Sequence, residues 1–504
     1  MKWTIGARRL TASARLRALS LLVCAGCSGT AGAPQTTQGI VVSPSSEVRQ
    51  GQASITLSLG HAAGGLANPS HVQFDDLVVA VDPSSTDDHL LLTITVPHGA
   101  PPGPRTLTFD SASGATTESD VIDVTPITVG PEGQDSKLGT TNSPFRSLKQ
   151  ALLVAGPGDT CLLRNGAYAA ISGETWPYAV PEQLTITGES ANAVLQGPGA
   201  AAPGTMSAHP SEALQPSAGL TLENLSLADF DVAVDLAQPA QLSLKDVAIR
   251  GGGKGIVVVG PGSSVKLSGG SIDSATYGVE LGGACDACSL DINGTTLTES
   301  GKGPIVQVSE TTLHSQLTIE HAQFHGGIFV DDPQATLSID ASNVDGSDST
   351  PGLNFGGKTL SVTSSTFHAL TAPYGIGLRA GTMSLADVTV QGNQYSVYQI
   401  AGTSKLRNTK LNGYSSIGFY FAKGDLDLGT AADAGDNTFL AASSTDTFGI
   451  YVDTDTSPLS CSNTSFDGVF PPAGVVQAGL DDLLTQPEEY ILTPGKTIAF
   501  FSVP

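Results

Sequence analysis

The apolar residues of this chain recur in short alternating bursts, and the spacing of those bursts changes twice along its length. From Gly39 to about Val124 the bursts are strand-like: Ile40-Val-Val, Ser54-Ile-Thr-Leu-Ser-Leu, Leu77-Val-Val-Ala-Val, Leu90-Leu-Leu-Thr-Ile-Thr-Val and Arg105-Thr-Leu-Thr-Phe. Period-two alternation with turn residues between the runs, packed into fewer than a hundred residues, predicts a small β-sandwich over 39–126. The pattern changes near Ile127. Ser143 is a good helix N-cap, Pro144 suits the first helical position, and Phe145, Leu148, Ala151, Leu152 and Ala155 recur at helical spacing. One short amphipathic helix before a long β region is suited to covering the open end of a stacked β structure. Residues 127–183 are therefore read as an N-terminal cap and first coil.

Beyond it the chain repeats. Segments of Leu-x-Leu character begin at Leu184, Leu220, Leu242, Val265, Leu290, Leu317, Leu337, Leu360, Met383, Leu406, Leu426 and Leu459. Most intervals fall at about 20–27 residues, within the range of solenoid repeats. A second burst follows in each unit: Gly255-Ile-Val-Val, Gly278-Val-Glu-Leu, Gly327-Ile-Phe-Val, Gly375-Ile-Gly-Leu, Gly418-Phe-Tyr-Phe and Gly449-Ile-Tyr-Val. Two or three short strands with corners fill each unit and leave too little chain for a helix. Leucine-rich and helical repeats are excluded, and a right-handed single-stranded parallel β-helix is predicted over 184–470, with 471–504 as its C-terminal cap. Inward positions such as Ile256, Val279, Ile376 and Ile450 should stack into apolar columns.

Composition sharpens this picture at three points. The 504-residue chain carries 47 acidic and 23 basic residues, a formal charge of −24, and no basic patch that would neutralise phosphates, so nucleic acid is excluded as a partner. Five of the basic residues (Lys2, Arg8, Arg9, Arg15, Arg17) precede the short apolar run Ala18–Gly26, as in a secretory signal. The end of that run, Val23-Cys24-Ala25-Gly26-Cys27, resembles the lipobox of bacterial lipoproteins. The resemblance implies a signal peptide over 1–26, lipidation of Cys27, a tether over 27–38, and, with Ser28 next, an outer-membrane lipoprotein of the cell envelope. The third point is cysteine. Cys161 reads as a buried thiol. Cys285 and Cys288 have no second pair or nearby His for zinc and no redox-motif context, so a local disulfide is expected.

Two further resemblances add to this reading. Val96-Pro-His-Gly-Ala-Pro-Pro-Gly-Pro-Arg-Thr-Leu resembles the final hairpin of bacterial Ig-like domains of the TIG type. Pro144-Phe-Arg-Ser-Leu-Lys-Gln-Ala-Leu, with Asn165-Gly-Ala-Tyr and Gly173-Glu-Thr-Trp-Pro-Tyr-Ala-Val-Pro, resembles a bacterial domain of unknown function within the pectin-lyase-like superfamily. Asp427-Leu-Gly-Thr and Gly435-Asp-Asn-Thr-Phe resemble another element of those proteins. The resemblance spans roughly Ile127 to Cys461 and implies a fold rather than an activity.

Equivalent residues on stacked coils lie about 4.8 Å apart, so aligned repeats place candidate chemistry. In the first strand an outward column runs Lys245, Ser268, Asn293, Glu320, Asp340, Thr363, which makes Glu320 and Asp340 neighbours. Two carboxylates at that separation suit a retaining glycosidase or a Ca²⁺ site, while the plainer reading, and the preferred one, is two solvated acids on an acidic surface. Asp331-Asp332 forms a second acidic pair. Arg250, Arg379 and Arg407 are too scattered to nominate a lyase base. In the second burst the outward position holds Phe329, Asn354, Gly377, Tyr398, Tyr420 and Tyr451, an aromatic ladder that either binds sugar or stabilises the stack. No cofactor motif is present. The expected function is a non-catalytic surface-binding or scaffold protein, with polysaccharide or another surface protein as partner and the membrane held through the lipid. The alternatives are a carbohydrate-active enzyme, either polysaccharide lyase or glycoside hydrolase, and an adhesin.

Overall fold

The N-terminal strands fold into two four-stranded sheets. A computed structural model of the protein describes residues 40–60, 71–86, 89–111, 114–199, 212–301, 303–346, 350–368, 372–430, 432–442, 448–452, 458–461, 464–467 and 490–491. One sheet joins Val41–Ser43, Ile55–Gly60, His89–Thr95 and Val78–Val81, all antiparallel. The other joins Glu47–Arg49, Gly114–Thr125, Gly103–Ser111 and Val72–Phe74, with the first pair parallel. Alternation buries Leu90, Leu92 and Ile94 from one sheet against Phe74 and Leu107 from the other in a single apolar cluster. The segment Val96–Pro102 does not make the expected hairpin: it carries the chain from one sheet to the other. Pro97, Pro101 and Pro102 have no N–H to give a ladder, so pairing resumes only at Gly103, and the hairpin is Gly103–Ser111 with Gly114–Thr125.

From Ile127 the described chain winds as a parallel β-solenoid. A fifteen-stranded sheet takes one strand from each coil, parallel from Ile127–Val129 to Pro458–Cys461, and Tyr490–Ile491 closes it antiparallel. A second sheet of 23 short strands takes the remainder of each coil. The inward column Ile256, Val279, Val306, Ile328, Leu353, Ile376, Val397, Phe419, Ile450 is continuous in register, and every member is at most 1% exposed. Corners between the two sheets have a shared device. Asn224, Asp246, Gly269, Gly294, His321, Ala341, Ser364, Asp387 and Asn408 all have positive φ at equivalent positions. Each of them through Asp387 donates its N–H to a carbonyl of the next coil. Asn, Asp and Gly tolerate this left-handed conformation at low cost, which explains their recurrence just after the strands.

Two details depart from the pattern read in the sequence. The helix spans Leu148–Val154 and is capped by Ser147, not by Ser143. Phe145 is taken instead by a parallel bridge to Val129, and Asp135 accepts from the N–H groups of Arg146 and Ser147 and from the Ser147 hydroxyl. The buried Glu174 carboxylate takes the first helical N–H groups, Leu148 and Lys149. The second departure is in the repeat at Leu406. Register sets Ser404 opposite Met383 and Leu406 opposite Leu385, so that strand begins two residues earlier with a buried serine in an apolar column. Its hydroxyl donates to Gln399 Oε1 at 2.5 Å, and Gln399, also fully buried, donates to the carbonyls of Gly402 and Lys423.

The sandwich is bonded to the first coil. Fully buried Asp159 accepts from the Gly99 and Gly156 N–H groups, both at 2.8 Å, and lies 2.6 Å from His98 Nδ1. Gln50 donates to the Ala100 carbonyl and accepts from the Thr160 N–H. With helix Leu148–Val154 packed beside the terminal strand Ile127–Val129, the first coil is covered.

Candidate functional site

Strand pairing in the second sheet brings Tyr398, Tyr420 and Tyr451 together on successive coils, all outward and half-buried. Tyr374 joins them although it sits three residues before the outward position of its strand. That position is Gly377, and the Tyr374 ring lies over it: a Cβ on Gly377 would come within 2.5 Å of that ring. The row Tyr374, Tyr398, Tyr420, Tyr451 then has centroid separations of 5.4, 4.6 and 5.4 Å and interplanar angles of 16°, 18° and 13°. Tyr395 flanks it, tilted against Tyr398 and edge-on to Tyr420. Half of the chain's ten tyrosines thus occupy one patch. Alignment of repeats missed Tyr374 and Tyr395 because neither occupies the outward column. The signal was the glycine at 377, a gap in the column that invites a neighbouring ring.

The stacking decides what the row can offer. Tyr398 and Tyr420 are covered on both faces by other rings, so a sugar cannot lie flat on either. The row therefore offers ring edges rather than faces, and each of its residues carries a phenol hydroxyl, a group that both donates and accepts. The rings support one another across coils, and burial, with Tyr398 alongside, raises the Tyr374 pKa.

Glu320 and Asp340 are register neighbours on the first sheet. Their surroundings are alike: Glu320 accepts from the Asn293 amide at 3.2 Å, and Asp340 accepts from the Thr363 hydroxyl. Both are half-buried, and each is bonded to a neutral side chain of an adjoining coil. A glycosidase pair divides two roles between unlike carboxylates, whereas these two are hydrogen-bonded in the same manner, each to one neutral side chain. Asp331 and Asp332 diverge. Asp331 pairs with Arg379, whereas buried Asp332 accepts from the Ser315 and Gln334 N–H groups and closes a turn. Arg250 donates to Ser226, and Arg407 pairs with Asp427 and Asp433, so the three arginines form no common site. Lys405 and Arg407 together hold the Asp433 carboxyl well below the usual range.

The cysteines and motif residues have structural work. Cys285 and Cys288 form a buried disulfide with Cα atoms 5.7 Å apart, and Cys161 is a buried free thiol whose pKa is pushed up by burial. Cys27 lies outside the described residues. In the opening motif, Ser147 caps the helix, Glu174 receives its first N–H groups, and the Tyr178 hydroxyl donates to Glu174. In the later motif, Asp427 accepts from Gly429 N–H, and buried Asn437 bonds the Leu406 and Leu428 carbonyls. These segments build the cap and a corner. Among the described residues no cluster of His, Cys, Asp or Glu could hold a metal ion.

Among solved structures, the chain is similar to XylC in complex with xylose, at 8% identity and a TM-score of 0.35, covering 70% of this chain and 88% of that one. It is similar to Dex49A from Penicillium minioluteum at 10% identity and a TM-score of 0.25, over 68% and 77% of the two chains. The pectate lyase Pel9A matches at 10% identity and a TM-score of 0.23, over 75% and 90%. No curated protein sequence matches the chain. Residues 131–222, the cap and the coils that follow it, match the family described as protein of unknown function DUF1565, so this chain carries a DUF1565 domain at the head of its parallel β-solenoid.

Proposed function

We propose that the protein is a non-catalytic polysaccharide-binding lipoprotein of the bacterial outer membrane, and that the tyrosine row is its contact surface. The observation that carries this reading is the row itself: four near-parallel stacked tyrosine rings, one per coil, on the outward side of the sheet. Rings that already hold one another lose little side-chain freedom on binding, which is what makes tyrosine effective in preorganised binding surfaces. A row repeating at coil spacing suits an extended polymer, whose hydroxyls can meet one phenol after another. The alike surroundings of Glu320 and Asp340 give catalysis no comparable support. The lipobox-like segment ending at Cys27 supplies the anchor in this reading, and the Ig-like sandwich serves as a spacer between anchor and solenoid.

The test separates binding from mere stacking. Changing Tyr398→Phe and Tyr420→Phe together removes two hydroxyls and keeps both rings. Affinity for soluble neutral polysaccharides, dextran and xylan among them, should fall about tenfold, equivalent to about 1.4 kcal/mol. The melting temperature should hold. Unchanged affinity would make the row purely structural, and wild-type protein that binds none of the polymers would end the proposal. Glu320→Gln with Asp340→Asn should leave binding intact, and polymer length should not change during incubation.

A further inference from the structure

A second polar constellation lies on the same sheet as the tyrosine row, three coils wide and separate from it in position. Strands Gln323–His325, Asn343–Asp345 and Thr366–His368 pair in register, His325 opposite Asp345 and Asp345 opposite His368. The three side chains are outward, with exposures of 50%, 45% and 36%. One carboxylate stands between two imidazoles: Asp345 Oδ2 is 3.2 Å from His325 Nδ1, and Oδ1 is 3.8 Å from His368 Nδ1. Each ring therefore turns the same nitrogen to the carboxylate and keeps Nε2 for another partner. Two residues earlier on each strand, Gln323, Asn343 and Thr366 form a parallel outward column. Gln323, His325, Asn343, Asp345 and Thr366 line a cleft of about 200 Å³, smaller than a typical drug-sized pocket.

We propose that this cleft binds an anionic group on a sugar polymer, a carboxylate or a sulfate ester, and does so when both histidines are protonated. Charge decides the sign. With neutral imidazoles the constellation carries the single negative charge of Asp345 and repels an anion. With both rings protonated it carries one net positive charge, and the amides of Gln323 and Asn343 with the Thr366 hydroxyl add hydrogen-bond donors along the cleft. Histidine is the side chain that makes this change between pH 5 and 8. Among the described residues, adjoining strands bring no other charge to the face. Thr296–Glu299 turns Thr296 and Thr298 outward and Glu299 inward, while Thr389–Gln391 turns out Thr389 and Gln391. On the flanking strands the outward groups are Gln307, Phe329, Asn354 and Tyr374, of which only Tyr374 titrates. In a chain with 47 acidic residues against 23 basic ones, a site that gains two positive charges on acidification is where an acidic polymer can settle. The inference rests on the polysaccharide reading only for the kind of molecule that carries the anion.

The experiment uses the full-length protein with polygalacturonate, dextran sulfate and neutral dextran, at pH 5 and pH 8 and constant ionic strength. At least one charged polymer should bind tenfold or more tightly at pH 5 than at pH 8, and comparison of the two assigns the anion as carboxylate or sulfate. In the variant His325→Gln/His368→Gln that dependence should vanish. A pH dependence as large in the variant as in the wild type would overturn the proposal. Failure of both anionic polymers to bind at pH 5 would overturn it too. Neutral dextran should still bind the histidine variant and lose affinity in the tyrosine-to-phenylalanine variant, so the two readings fail separately. His325 is exposed and His368 half-buried, and an unchanged melting temperature of the double variant excludes unfolding as the cause.

Discussion

Glu299 is buried at the end of a strand, with Oε1 accepting from the Gly303 N–H and Oε2 without a partner. Burial raises its pKa, outweighing the hydrogen bonds from Gly303 and Gly301 that lower it. A carboxyl whose folded pKa is raised stabilises the fold in its protonated form. That contribution is complete below the unfolded carboxyl value of about 4.3 and disappears as pH rises through the folded value. Glu299→Gln should therefore raise the melting temperature at pH 8 and leave it nearly unchanged at pH 4. A melting temperature at pH 8 that stays the same or falls would reject this account. The sequence offered no sign of this, because Glu299 lies at a strand end where acids are usually solvated. Gly435 shows the same limit in reverse: its identity was plain, but its reason was not. A Cβ there would fall 1.6 Å from the Leu428 carbonyl oxygen, a group that only the closed corner brings near.

At the scale of single elements, the apolar rhythm located the strands, and polar exceptions displaced their boundaries. Ser404 and Gln399 occupy positions that Met383 and Leu426, and Leu378 and Phe421, hold on neighbouring coils. An alternation rule skips such a strand start and begins at the first apolar residue, Leu406. Ser404→Ala leaves the buried Gln399 Oε1 unpaired and should cost about 1–3 kcal/mol. Replacing both residues with leucine removes the stranded acceptor and should cost less than Ser404→Ala alone, as read from the denaturant unfolding of each variant. A double variant weaker than the single would show that the pair does more than satisfy itself. The helix displays the same effect. Ser143 and Pro144 carry good local signals, yet Phe145 gains more from pairing with Val129 in the buried cap than from a place on the helix.

Over the whole molecule, stability is shared between coils that touch mainly their neighbours, so each end must be covered. The sandwich and helix do this at the first coil through Asp159, Gln50 and Glu174. No helix among the described residues is long and apolar enough to cross a membrane. The proposed attachment is through Cys27. Cys27→Ser should abolish lipid labelling and move the protein from the membrane fraction to the soluble fraction. Continued membrane association after a salt wash would count against a lipid anchor.

The sequence by itself determined the parallel β-solenoid, the columns of its core and the outward register of Tyr398, Tyr420 and Tyr451. Those properties follow from period-two alternation repeated at a fixed interval, and coil-to-coil pairing converts that interval directly into adjacency. Tertiary structure alone decided which side chains leave their own column. Tyr374 leans over Gly377, Asp345 stands between two histidines, Glu320 and Asp340 each turn to a neutral neighbour, and stacked rings cover the faces on which a sugar could lie flat. Periodicity records where a Cβ points. The reach and rotamer of a long side chain depend on what its neighbours on other coils leave unoccupied.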